Sequence, residues 1–268
     1  MIDFLARFGQ WGMVAGAAEG IGAAYCEELA RRGMNVIMVD VNEAGMESLA
    51  NRLEKTHNIQ VKRLVQDLSD KIAPVSCMKA IEGIDCRLLI YNAAYSRVKL
   101  FLSTSPEELE LYTDVNARTP LHLVYGFVQK LGAESKTGGI LLMASLAGLW
   151  GARFVAAYAA TKAFNLRLAE ALSFELKPHG IDICACCAGS TATPGYLSSQ
   201  PAQGFLAPNV MMPEKVAAIA VRNIGRKTII IPGFANQFNY FLLTRILPRS
   251  ISVSLVNKVM GRTYRHVR

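Results

Sequence analysis

A chain of 268 residues with 51% hydrophobic side chains is long and apolar enough for one α/β domain with a large core, which excludes global disorder. The net charge of +8 gathers late in the chain, where Arg245, Arg249, Lys258, Arg262, Arg265 and Arg268 face no Asp or Glu after Glu214. No zinc, RNA-sheet or helix-turn-helix signature accompanies it, so nucleic acid is not an expected partner; an anionic membrane surface or an acidic substrate tail suits the charge better.

Residues 1–10 place Asp3 and Arg7 among Phe4, Leu5 and Phe8, too short and too charged for a secretory signal. Trp11–Ala15 reads as a first strand. Gly16-Ala17-Ala18-Glu19-Gly20-Ile21-Gly22 follows at once and opens a helix through Arg32. Glycines at such a turn permit a tight bend and close approach to a pyrophosphate, while the helix N-terminus offers N–H groups and partial positive charge. Residues 34–39 form an apolar strand ending in Asp40, which can accept hydrogen bonds from adenosine ribose hydroxyls or instead cap the helix that starts near Glu43. Asp40 and Glu19 would both repel a 2′-phosphate, and no Arg or Lys stands beside either, so NAD is expected over NADP.

A helix over 43–55 leads to a strand over 60–66 and then Asp67-Leu68, where Asp67 either meets the adenine or caps the next turn. Helix 72–82 precedes strand 86–91 and Asn92-Ala93-Ala94. A long helical stretch over 106–131 contains Asn116 and a kink at Pro120. Strand 139–144 ends in Ser145, helix 155–178 follows, and strand 181–187 leads into Ala188-Gly189-Ser190-Thr191-Ala192-Thr193. The loop 189–213 carries Tyr196, Phe205 and Met211, which suits a lid over a lipophilic substrate or a contact with a neighbouring subunit. Helix 213–225 and strand 228–231 complete the sheet. The predicted fold is a Rossmann-type doubly wound parallel sheet of about seven strands with helices on both faces, one catalytic domain over 1–233. Gly16, Asp40, Asp67, Asn92, Ser145 and Gly189 all fall at strand carboxyl ends, where such a sheet binds ligands.

The six cysteines read as small buried hydrophobes, with no metal site expected. No apolar run is long enough to span a bilayer, and a cytoplasmic location is expected. The basic, apolar tail over 234–268, broken by Pro248 into two short helices, fits three roles: contact with a membrane surface, an oligomer contact, or a flap over the pocket.

Tyr158 and Lys162 lie four apart on one helix face, with Ser145 thirteen residues before the tyrosine. A free tyrosine titrates near ~10, and lowering it by ~3 units needs ~4 kcal/mol. An ion pair at ~4 Å supplies ~1 kcal/mol in bulk water and ~4 at an effective dielectric of ~20. Only a partly dry cleft permits that tuning; the plain alternative is a chance pair on an amphipathic helix.

With the glycine turn, Asn92-Ala93-Ala94, Asn116, Ser145, Tyr158 and Lys162 in this order, residues 10–232 resemble the short-chain dehydrogenase/reductases. The runs Gly9-Gln10-Trp11 and Ala30-Arg31-Arg32-Gly33-Met34-Asn35 look like the branch containing 3-oxoacyl-CoA reductases and hydroxysteroid dehydrogenases. The resemblance implies that Tyr158 exchanges the proton at the substrate oxygen and that Lys162 lowers its pKa and bonds the nicotinamide ribose. It further implies that Ser145 orients the substrate oxygen, Asn116 anchors a water, and Asn92 and Thr193 lie at the cofactor. Gly16, Ala18, Glu19, Gly20, Ile21, Gly22, Asp40, Asp67, Leu68, Ala93, Ala94, Gly189 and Thr191, with Tyr158 itself, complete the expected cofactor site. Ser145, Tyr158, Tyr196, Phe205 and Met211 are expected at the substrate. A homodimer or homotetramer built on helices 106–131 and 155–178 is implied as well. Three departures stand out: Ala15 replaces the threonine that tethers the glycine turn, Tyr91 and Ala94 replace residues of Asn-Asn-Ala-Gly, and Ala188 replaces a proline. The expected activity interconverts a secondary alcohol and a ketone on a lipophilic substrate such as a steroid, an acyl chain or a polyketide-like ketone. The alternative is a catalytically silent dinucleotide-binding regulatory or scaffold protein.

Overall fold

Apolar residues alternate between the two faces of each central strand, and two cores result. Val14, Val36, Met38, Leu88, Ile90, Leu141, Cys184 and Cys186 bury into one; Met13, Ala15, Ile37, Val39, Leu89, Tyr91, Ile140, Leu142 and Cys187 bury into the other. A sheet apolar on both faces must be covered on both, which is what parallel strands with crossover helices provide. The computed structural model describes residues 4–202 and 210–267; Phe205 lies outside the described residues.

In chain order the elements are α1 (Phe4–Phe8), β1 (Trp11–Ala15), α2 (Gly20–Ala30), β2 (Asn35–Asp40), α3 (Glu43–His57), β3 (Val61–Val65), α4 (Ala73–Ala80), β4 (Cys86–Tyr91), α5 (Pro106–Thr113), α6 (Thr119–Ala133), β5 (Gly138–Ser145), α7 (Ala156–Leu176), β6 (Ile181–Ala188), α8 (Pro194–Ser198), α9 (Pro213–Asn223), β7 (Ile229–Ile230), α10 (Phe234–Phe241) and α11 (Arg249–Thr263). The seven strands run β3-β2-β1-β4-β5-β6-β7, all parallel. The order reverses between β1 and β4, and the crevice outside their carboxyl ends is where such sheets hold ligands. All six cysteines are buried free thiols, four in strands β4 and β6 and two on helices α2 and α4.

Two local expectations are corrected. The irregularity placed at Pro120 lies one turn earlier, as a π-helical turn over Asp114–Arg118 joining α5 to α6, and Pro120 sits in the first turn of α6. Proline has no N–H to offer, so it is tolerated there and leaves the carbonyl of Asn116 free for another donor. Pro248 does break the tail into two helices, both longer than expected: a π-helical turn, Leu242–Ile246, extends α10, and α11 runs fifteen residues beyond the proline.

Candidate active site

The glycine turn works because two side chains are missing. Gly16 has φ +77°, and a Cβ there would lie 2.6 Å from the backbone of Ala93. A Cβ on Gly22 would lie 1.7 Å from the Gly16 carbonyl. The tether that Ala15 cannot supply comes from Asn92: its Nδ2 donates to Gly16 O at 2.8 Å, and the N–H groups of Asn92 and Ala93 both reach Ala15 O. Gly20 meets Thr193, whose Cγ2 would sit 3.0 Å from an added Cβ, so the loop after β6 closes onto the turn. Glu19 precedes α2 with no side-chain cap, which leaves the helix N–H groups open. This cradle fits a dinucleotide pyrophosphate.

Asp40 Oδ2 accepts from Ala18 N–H at 3.0 Å and Oδ1 from Asn42 N–H at 3.0 Å. It does not cap α3; Asn42 does, accepting from Gly45 N–H at 2.9 Å. The Asp40 carboxylate is thus held beside the glycine turn. Asp67 is exposed and accepts from Ser69 N–H and Oγ at 2.8 and 2.7 Å, so it caps its own turn. Leu68 is buried beside it, its carbonyl accepting from Thr119 Oγ1 at 2.8 Å. Thr191 is buried, and the segment 190–192 pairs with Met211. Gly189 backs onto Asn236 of α10.

Ser145 ends β5 and Tyr158 opens α7 on the same carboxyl edge. Lys162 is buried; its Nζ donates to Met143 O at 2.7 Å and lies 5.6 Å from the centroid of the Tyr158 ring. Burial pulls the lysine down to about 8. The expectation that Lys162 depresses the Tyr158 pKa is reversed here. Burial raises the phenol above its ordinary value, the Ser145 hydroxyl bonded to it pulls the other way, and Tyr264 adds to the rise. Burial is the largest influence on the phenol, and Lys162, its Nζ 5.6 Å from the ring centroid, is not among the groups that offset it.

Asn116 is fully buried in the π-turn. Its Oδ1 accepts from Tyr95 N–H at 2.7 Å, and its Nδ2 donates to Tyr95 O at 2.9 Å and Thr161 Oγ1 at 3.1 Å. The carbonyl that Pro120 leaves open accepts from Asn165 Nδ2 at 3.0 Å, and Asn165 Oδ1 is a buried acceptor with no partner among the described residues. Tyr91, one of the departures, donates its hydroxyl to Val115 O at 2.6 Å and so pins the same turn.

Residues that sequence reasoning missed form the cover. Ala152, Val155 and Ala159 cluster with Val98, Ala147 and Tyr158 beneath Val256 and Met260 of α11. Asn257 ties α11 down, accepting from Arg153 N–H and donating to Gly151 O, both at 2.8 Å. Tyr264 is buried, its hydroxyl 3.4 Å from Ser199 Oγ, and burial raises its phenol above the ordinary value. One face of α11 therefore packs over this cluster. The carbonyl of Tyr196 accepts from Ser199 Oγ at 2.6 Å, the same hydroxyl that reaches Tyr264, while Met211 lies against Gly233 and Asn236, whose Nδ2 is 3.6 Å from its sulfur. The only advance signal for Tyr264 was a tail rich in apolar residues.

The family model of the short chain dehydrogenases matches residues 10–203. The chain belongs to the short-chain dehydrogenase family. A 7beta-hydroxysteroid dehydrogenase of Clostridium sardiniense is 30% identical over 236 residues, covering 88% of this chain and 90% of that one. A very-long-chain 3-oxoacyl-CoA reductase of Meyerozyma guilliermondii is 28% identical over 255 residues, covering 88% and 73%. Among solved structures, a 7beta-hydroxysteroid dehydrogenase aligns with TM-score 0.86 at 26% identity, covering 94% of this chain and 98% of that one. A short-chain dehydrogenase from Sphingobium yanoikuyae in complex with NADPH aligns with TM-score 0.77 at 25% identity, covering 86% and 91%. This member of the family is therefore an oxidoreductase of alcohol and ketone groups that uses a nicotinamide cofactor.

Proposed function

We propose that the protein interconverts a secondary alcohol and a ketone on a lipophilic substrate, steroid or acyl chain, with NAD(H) preferred over NADP(H). The observation that carries the reading is the desolvated Tyr158 phenol, bonded to Ser145 and roofed by Val256 and Met260. Gly16, Gly20, Gly22, Asn92, Asp40 and Thr193 hold the cofactor, which when bound supplies or accepts the hydride. Ser145 orients the substrate oxygen, and Tyr158 gives it a proton in reduction and takes it back in oxidation. Lys162 keeps a positive charge beneath the phenol. Asn116 and Asn165 hold the water chain that returns the proton to solvent, with Asn165 Oδ1 as its open acceptor.

Asp40 favours NAD, because its carboxylate stands beside the turn where a 2′-phosphate would lie. The apolar cover and the names of the two relatives above support a steroid or acyl substrate. Exposed Leu121 and Tyr125 on α6 and Phe164 and Phe174 on α7 support a homodimer or homotetramer through those helices.

The test is oxidation of NADH and of NADPH by a panel of lipophilic ketones. Turnover with NADH at the higher kcat/KM is expected. Tight NADH binding with no turnover across the panel would instead favour a silent dinucleotide-binding protein.

A further inference from the structure

The outward side of the tail is apolar and cationic at once. Phe234, Phe238 and Phe241 form a stripe along α10 at helical spacing, 84%, 57% and 54% exposed. Ile251, Leu255 and Val259 repeat the pattern along α11, each at least 40% exposed. Arg245, Lys258 and Arg262 are exposed between and beside them. The last 54 residues hold ten Lys or Arg and no Asp or Glu, whereas the preceding 214 hold 19 and 21, so the whole positive charge belongs to this end. Exposed aromatics and cations without a single acid match the ester and headgroup layer of an anionic bilayer.

We infer that α10 and α11 dock the protein onto an anionic lipid surface, with the phenylalanine stripe among the upper acyl chains and the cations at the headgroups. A second copy of the chain is the poorer occupant. Pairing tail against tail would face two segments of six cations each, with no carboxylate in either to compensate. Among the described residues no helix is long and apolar enough to cross a membrane, so the contact is lateral. The same helix serves both sides: Val256 and Met260 face Tyr158 while Ile251, Leu255 and Val259 face outward. The docked tail therefore lies between bilayer and site, and a lipophilic substrate can pass from one to the other without crossing water. That passage rests on the function proposed above; the docking does not.

Flotation of the full-length protein with vesicles of phosphatidylcholine alone, and with phosphatidylserine added, tests the docking. Binding to the phosphatidylserine vesicles is expected, weakened by salt. Arg245→Ser and Lys258→Ser should each lower the affinity about fivefold. Phe234→Ser with Phe238→Ser should abolish binding while leaving circular dichroism and turnover of a water-soluble ketone unchanged. No flotation with phosphatidylserine overturns the inference. So does a fall in mass by light scattering of the Phe234→Ser, Phe238→Ser protein without vesicles, which would assign the stripe to a second copy. A protein that floats yet turns over no ketone keeps the docking and refutes the function.

Discussion

At the scale of single residues, the two tuned groups make opposite pH signatures. A phenol raised by burial stays protonated through neutral pH, so Tyr158 is ready to donate in ketone reduction and must first lose its proton for alcohol oxidation. Oxidation should therefore climb with pH. Reduction should decline above about pH 8, where Lys162 sheds its charge; pH profiles of both directions check this, and a reduction rate flat through that value contradicts it. Lys162 also affects stability. Its folded value of about 8 lies below the ordinary lysine value near ~10.4, so in that window the unfolded chain binds more protons and stability rises with pH. Lys162→Met should abolish turnover, flatten that slope and raise the melting temperature at neutral pH, by about 2–4 °C for each kcal/mol of desolvation relieved. A lower melting temperature would mark the lysine as structural. The pair was legible in the sequence from its spacing. The direction of the phenol's shift was not, because it depends on burial and on Tyr264, a residue 106 positions away that no local pattern reports.

At the scale of elements, substitutions that looked like losses are compensated by neighbours. Ala15 cannot tether the glycine turn, and Asn92 does so from the end of β4. Tyr91 stands in an asparagine's place and fastens the π-turn that presents Asn116. Asn92→Ala leaves the Gly16 carbonyl without its side-chain donor and should cost about 1–3 kcal/mol of stability and weaken NADH binding. A thermal melt paired with an NADH titration reads both, and unchanged NADH affinity would argue that the turn holds itself. The helix–strand alternation was plain from apolar periodicity and glycine punctuation. The π-turn was not, because Pro120 marks a discontinuity without saying on which side of it the helix widens. Asp40 was correctly placed at a strand end, but Asn42, two residues on, took the capping role that either could fill.

At the scale of the whole molecule, the sheet order follows from the chain's alternating elements, while the position of the tail rests on contacts distant in sequence. Asn257 reaches Gly151 across 106 positions, a pairing invisible to any local pattern. The cover it fastens should set substrate choice. Met260→Ala with Val256→Ala should raise KM for a bulky lipophilic ketone at least severalfold while leaving a small ketone nearly unaffected; equal losses on both would show that α11 only supports the fold. The most direct test of the account is single-turnover reduction of a lipophilic ketone by NADH with Tyr158→Phe, alongside NADH binding by the same protein. Removing one hydroxyl should stop the chemistry and leave NADH affinity within about twofold, since the cradle and the phenol are separate structures. Turnover at the unmodified rate would contradict the central claim that this phenol carries the proton.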